Sequence, residues 1–158
     1  MQQKFQAAGP FVLGMHDALV SLTGTIGGLT FALANRQAII LSAIIASVAA
    51  GLSMGASCYL AEKTNANIFA ARAGIVTGVA YIGTCVVLIL PFLFLENTRT
   101  ALVWSLVMGV GIIFGCNWCI GWRRKQNYWR GAIEMLVVCS GVCIISFLVG
   151  ELAKFALG

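Results

Sequence analysis

Five predominantly apolar stretches divide this chain: Pro10–Ala34, Gln37–Ala61, Ala73–Leu95, Ala101–Trp122 and Gly131–Leu157. Each reaches the ~20 residues that a helix needs to cross the hydrocarbon core of a bilayer. Polar residues gather between them, in Asn35–Arg36, Glu62–Arg72, Glu96–Thr100 and Arg123–Arg130. In lipid every backbone polar group must be satisfied within the fold, so apolar runs of this length predict helices. The pattern therefore predicts an all-α, polytopic membrane protein, one five-helix transmembrane domain spanning residues 1–158. The first stretch is too long for the apolar part of a signal peptide, lacks a small-residue cleavage pattern and runs straight into the second. It is expected to be a retained span.

Composition agrees with the pattern. Of 158 residues, 60% are hydrophobic and 9% charged, against about 45–50% and about 25% in soluble domains. Little is left for a soluble module. An odd number of helices argues against two equal repeats within one chain, so any symmetry is expected from a homodimer. Small residues recur four apart at Gly24/Gly28, Gly51/Gly55, Gly74/Gly78 and Gly111/Gly115, a spacing that lets helix backbones approach closely. Most are expected to pack within the chain and at least one to serve a dimer. Pro91, near one end of the third stretch, frees backbone carbonyls that neighbours must satisfy.

The net charge of +5 is informative through its placement. With the N-terminus cytosolic, Lys4, Lys63, Arg72, Arg123, Arg124, Lys125 and Arg130 lie inside, while Arg36, Arg99 and Lys154 lie outside. Seven against three fits the positive-inside rule and puts the C-terminus outside or in a lumen. The basic run Arg123–Lys125 beside Trp122, Tyr128 and Trp129 reads as an interfacial anchor rather than a dedicated lipid or nucleic-acid site.

His16 and Asp17 interrupt the first stretch. A carboxylate in the hydrocarbon region costs a few kcal/mol, so it is kept where it meets a cavity, a partner or an ion. Asp17 sits about 10 Å above the start of the first helix, and Met54 about 10–12 Å from the end of the antiparallel second helix. The two are expected in one layer. Carboxylate oxygen with thioether sulfur suits a transition metal rather than Mg²⁺ or Ca²⁺, although methionine more often only fills gaps.

The motifs around this pair carry a resemblance. His16-Asp17-Ala18-Leu19-Val20-Ser21 is followed by Gly24, Gly27-Gly28-Leu29 and Ala32, then by Ala49-Ala50-Gly51-Leu52-Ser53-Met54 with Tyr59-Leu60. Together these resemble the vacuolar iron transporter family, with its nodulin-like and bacterial members. Thr77-Gly78 through Leu90-Pro91-Phe92, and Glu134-Met135-Leu136 through Phe147-Leu148-Val149-Gly150, are similar to the family's third and last helices. The resemblance implies a homodimer with a metal path between protomers and with Asp17 and Met54 as embedded ligands. Ala18 departs from the glycine usual after the aspartate, and Ala46, Ser57 and Cys58 stand where relatives often place glutamates. The chain looks like a minimal form, because Glu62–Arg72 holds one acidic residue in place of a glutamate-rich cytosolic metal-collecting domain.

Supporting or proton-path roles are assigned to His16, Ser21, Ser53, Cys58, Tyr59 and Glu134. Adjacent helical residues point about 100° apart, which favours packing for His16 over ligation. Glu134 also suits the positive N-terminus of the last helix. Six cysteines, Cys58, Cys85, Cys116, Cys119, Cys139 and Cys143, fall in the apolar stretches. Cys116-x-x-Cys119 with Cys139 and Cys143 would suit a thiol site, but buried cysteine is commonly a small apolar residue.

The leading expectation is a transporter, not an enzyme, that exports Fe²⁺ and/or Mn²⁺ from the cytosol by proton antiport, with no resident cofactor and no nucleic-acid partner. It would lie in an inner or plasma membrane if prokaryotic and a vacuolar-type membrane if eukaryotic. The alternatives are a membrane thiol oxidoreductase using Cys116 and Cys119, and a non-transporting assembly subunit.

Overall fold

A computed structural model describes residues 7–32, 35–124 and 128–157. The described residues form five helices: α1 (Ala8–Ala32), α2 (Arg36–Thr64), α3 (Ala70–Phe94), α4 (Thr98–Arg124) and α5 (Tyr128–Leu157). Among the described residues there is no strand. Among the described residues three helices are long and apolar enough to cross a membrane, Arg36–Thr64, Ala70–Phe94 and Thr98–Cys116. This is an integral membrane protein. The 25 residues of α1 and 30 of α5 would reach about 37 and 45 Å, beyond the ~30 Å hydrocarbon thickness. In α1, His16 and Asp17 dilute the apolar run.

α1 touches all four other helices, most extensively α3 and α5, and α2 lies along α3. The buried positions of α1, Met15, Ala18, Leu19, Leu22 and Ile26, recur three and four apart and mark the stripe turned to the core. They pack with Tyr81, Cys85, Leu88 and Phe92 of α3, Ile39 and Ala43 of α2, and Ala101, Leu102 and Ile113 of α4.

Three of the four glycine pairs serve packing within the chain. A Cβ on Gly74 would stand 2.6 Å from the Gly55 carbonyl oxygen, and one on Gly78 would stand 3.1 Å from that of Gly51. Gly24 and Gly28 face Ser146 of α5. A Cβ on Gly111 or Gly115 of α4 would meet nothing within 4 Å among the described residues.

The connection between α2 and α3 is shorter than the polar stretch Glu62–Arg72 suggests, because α2 continues through Glu62, Lys63 and Thr64. Thr64 Oγ1 donates to the Leu60 carbonyl at 2.9 Å, and the Asn65 N–H reaches the Ala61 carbonyl at 3.1 Å. Ala66 then takes a left-handed φ of 54°, and the Asn67 N–H returns to the Glu62 carbonyl at 3.0 Å. This wrap satisfies carbonyls that a helix end otherwise leaves bare.

At the other end of the bundle Asn35 caps α2 by accepting from the Gln37 and Ala38 N–H groups. Arg36 reaches across to α3, donating from Nε to the Phe92 carbonyl and from Nη2 to the Leu93 carbonyl, both at 2.7 Å. These are the final carbonyls of α3, where a cation also complements the helix dipole. Replacing Arg36 by Met is expected to lower unfolding stability in detergent by about 1.5–3 kcal/mol, the range for hydrogen bonds to a charged group. Lysine should rescue only in part, since one ammonium does not reproduce the guanidinium fork. An unchanged melting temperature for Arg36→Met would refute this role.

Candidate metal site

Gly14 sets the register of α1 on α3. A Cβ there would lie 2.1 Å from the Thr77 carbonyl oxygen, so only glycine permits this approach. Thr77 Oγ1 lies 3.1 Å from the Pro10 carbonyl, 2.9 Å from the Ala73 carbonyl and 3.2 Å from Cys58 Sγ, which ties α1, α2 and α3 together at one level. Cys58 is buried in this knot.

Asp17 follows Gly14 by three residues, about 4.5 Å higher along α1, and is exposed. Its carbonyl accepts a hydrogen bond from Ser21 Oγ at 2.7 Å. The Tyr81 hydroxyl, on buried Tyr81 of α3, lies 2.7 Å from the same Ser21 oxygen. Ser21 has one proton and spends it on the Asp17 carbonyl, so Tyr81 is the donor in the second bond. The Asp17 carboxylate is near enough to Tyr81 and Cys85 to act on both electrostatically, and Cys58 of α2 meets Thr77 of α3 one turn below. A polar seam thus crosses α1, α3 and α2 inside an apolar bundle.

Met54 lies four residues from Cys58 and Tyr81 four from Thr77, each about 6 Å above the Thr77 level. Register therefore puts Asp17, Met54 and Tyr81 at one height. Met54 is partly buried and packs against the core that contains Tyr81.

The remaining sequence candidates are dispersed. His16 is half-buried, and its Nε2 atom is buried without a hydrogen-bond partner among the described residues. Ser53 is exposed. Tyr59 is also exposed, with the Lys63 ammonium 5.7 Å from its ring centroid. Glu134 is exposed in the second turn of α5. Cys116 lines a groove with residues of α1 and α3, and Cys139 lines a cavity between α1, α4 and α5. The side chains of Cys119 and Cys143 fall outside the described residues.

Tyr81 and Cys85 were not marked by the sequence reading. The available signal was the run Thr77, Tyr81, Thr84 and Cys85 on an otherwise apolar α3, polar groups at helical spacing. Tyr81→Phe is expected to cost about 0.6–1.7 kcal/mol, the measured range for interhelical hydrogen bonds in a membrane protein. Thermal unfolding in detergent checks it, and Ser21→Ala in the same background should add only the loss of its bond to the Asp17 carbonyl, because the interhelical bond is already gone.

Among the described residues no three His, Cys, Asp or Glu side chains converge on a point that would hold a metal. The chain offers a carboxylate, a phenol and a thioether at one height along the bundle.

The fold and this seam define a helical membrane protein with an ionisable group on one helix face. Residues 9–73 match the model of the VIT family, a family of iron and manganese transporters. The match covers α1, α2 and the start of α3, less than half of the chain, and includes both Asp17 and Met54. No curated protein matches the chain.

Proposed function

We propose that the chain carries a divalent transition metal, Fe²⁺ and/or Mn²⁺, out of the cytosol in exchange for protons, with Asp17 and Met54 as the membrane-embedded ligands. The observation that carries this reading is Asp17 itself, an exposed carboxylate on a helix face, within the segment that matches a family of metal transporters. All five helices cross the bilayer in this reading, with the N-terminus cytosolic. Left facing lipid, the carboxylate would cost about 2.5–3.5 kcal/mol or more. A second copy related by a twofold axis removes that cost by presenting its own Asp17 opposite the first.

Such a dimer also completes the coordination. Two carboxylates and two thioethers form a mixed oxygen and sulfur site, which suits a transition metal over Mg²⁺ or Ca²⁺. Charge balances if the metal ion replaces two protons on the facing carboxylates, so net charge in the low-dielectric layer stays constant. Release follows on the other side when protons return to both groups. Ser21 and Tyr81 hold the backbone of Asp17 so that the carboxylate keeps its direction.

The test is uptake of Fe²⁺ and Mn²⁺ into proteoliposomes under an imposed pH gradient. Gradient-dependent flux that falls in both Asp17→Asn and Met54→Ala is the expected result. A folded dimer that moves neither ion would sink the proposal.

A further inference from the structure

The close approach of α2 and α3 leaves a groove along their outer surface. Gly55 and Gly74 meet backbone to backbone, and Gly78 faces the Gly51 carbonyl. The floor of the groove, about 490 Å³ in volume, is therefore glycine backbone. Its rims are Tyr59 and the side chains of Leu52, Ile75 and Val79, 65%, 66% and 66% exposed. Ile82 lies against Gly51 at the far end. Among the described residues only α2 and α3 line this groove, which separates it from Asp17 on α1.

Its length matches one lipid leaflet. At about 1.5 Å per residue, Tyr59 is about 6 Å along α2 from Lys63, and Ala71 is next to Arg72 on α3. The deepest lining residues, Gly51 and Ile82, are about 18 Å from Lys63 and about 15 Å from Arg72. One leaflet contributes half of the ~30 Å hydrocarbon thickness. Lys63 and Arg72 flank the apolar stretches 37–61 and 73–95, so the groove opens at headgroup level and ends within the same leaflet.

The open end carries the charge. Lys63 and Arg72 are both exposed, one on each helix. The Lys63 ammonium stands 5.7 Å from the ring centroid of Tyr59, itself a groove residue, and the Arg72 guanidinium 5.7 Å from that of Phe69 in the turn. A ring beside each cation suits the polar edge of a bilayer, where an apolar stem stays in contact with protein and the charge stays in the headgroup layer. Glu62 is the one acidic residue between positions 62 and 72, and its carboxylate accepts from the Asn67 side-chain amide within the turn. A second copy related by a twofold axis along the membrane normal would bring its own Lys63 and Arg72 to this level, like charge against like. A phosphate headgroup with an apolar chain complements both the cations and the groove.

We propose that the α2/α3 groove binds one anionic phospholipid, with an acyl chain along the glycine seam and the phosphate at Lys63 and Arg72. The site goes beyond interfacial anchoring, because it requires a chain in a defined groove. It does not depend on metal transport, and its failure leaves that reading untouched.

The experiment titrates the purified full-length protein in detergent with dioleoyl-phosphatidylglycerol and, separately, with dioleoyl-phosphatidylcholine, reading bound lipid by native mass spectrometry. Phosphatidylglycerol is expected to bind at least about fivefold more tightly. The preference should vanish in the double variant Lys63→Gln, Arg72→Gln. It should persist in Arg99→Gln, which removes an exposed cation at the opposite end of the bundle. Ala56→Phe, at an exposed position that lines the groove, should weaken both lipids several-fold. Val79→Phe should do the same and serves if Ala56→Phe fails to fold. Equal affinity for the two lipids would overturn the proposal. So would a preference that Arg99→Gln lowers as much as the double variant does, or lipid binding that both groove variants leave intact. Loss of an oligomer in Ala56→Phe at constant lipid binding would also overturn it, by assigning the groove to a protein contact.

Discussion

Asp17→Asn is expected to yield a protein that folds at least as well as the wild type and carries no measurable metal. Asparagine keeps the size of the side chain and removes its charge, and a carboxylate at a helix centre costs about 2.5–3.5 kcal/mol on insertion scales. The variant should therefore melt at the same or a higher temperature. Flux should fall by well over tenfold, since loss of even a group that only supports a ligand costs about 10–100-fold in metal affinity or activity. The opposite directions are diagnostic. A residue kept for stability would lose both properties together, and one kept for transport loses only the second. Flux equal to wild type would remove Asp17 from the site and with it the proposed exchange of protons for metal. The Ser21 hydrogen bond goes to the Asp17 backbone carbonyl, so the substitution leaves the seam between α1 and α3 in place.

Gly14→Ala should do the reverse and damage both. The added methyl would sit 2.1 Å from the Thr77 carbonyl oxygen, a backbone atom without freedom to rotate aside. The helices must separate, which stretches the contact between Thr77 Oγ1 and the Pro10 carbonyl and the bond between Ser21 and Tyr81. Overpacking of this kind costs about 1–3 kcal/mol. Because Asp17 is one turn from Gly14 on the same helix, its carboxylate moves with the helix, and a shift of about 1 Å at a site can cost a hundredfold in rate. The expectation is a lower melting temperature together with flux reduced by more than the loss of folded protein explains. Gly27→Ala is the control, since a Cβ at Gly27 meets nothing within 4 Å. If Gly14→Ala melts like wild type, the close approach of α1 to α3 is wrong.

These two substitutions mark the boundary between what was legible in the residues and what was not. The helices were visible because lipid imposes a single rule, about 20 apolar residues with polar breaks. Their ends were less visible. Glu62, Lys63 and Thr64 read as loop by polarity, yet they continue α2 because helical hydrogen bonding tolerates polar side chains beyond the apolar run. Arg36 read as one outside charge, and its partners on the Phe92 and Leu93 carbonyls lie 56 and 57 residues away, beyond any local pattern.

The sequence alone determined that this is a helical membrane protein and that Asp17 is an ionisable group inside an apolar helix, because hydropathy and ionisation cost are properties of residues and their spacing. Only the tertiary structure decided which glycines touch which helices, that Tyr81 of α3 reaches the Asp17 backbone through Ser21, and that an apolar cavity opens between α1, α4 and α5. Those features depend on contacts between residues distant in the chain, and a helical period specifies a face without naming the neighbour that covers it.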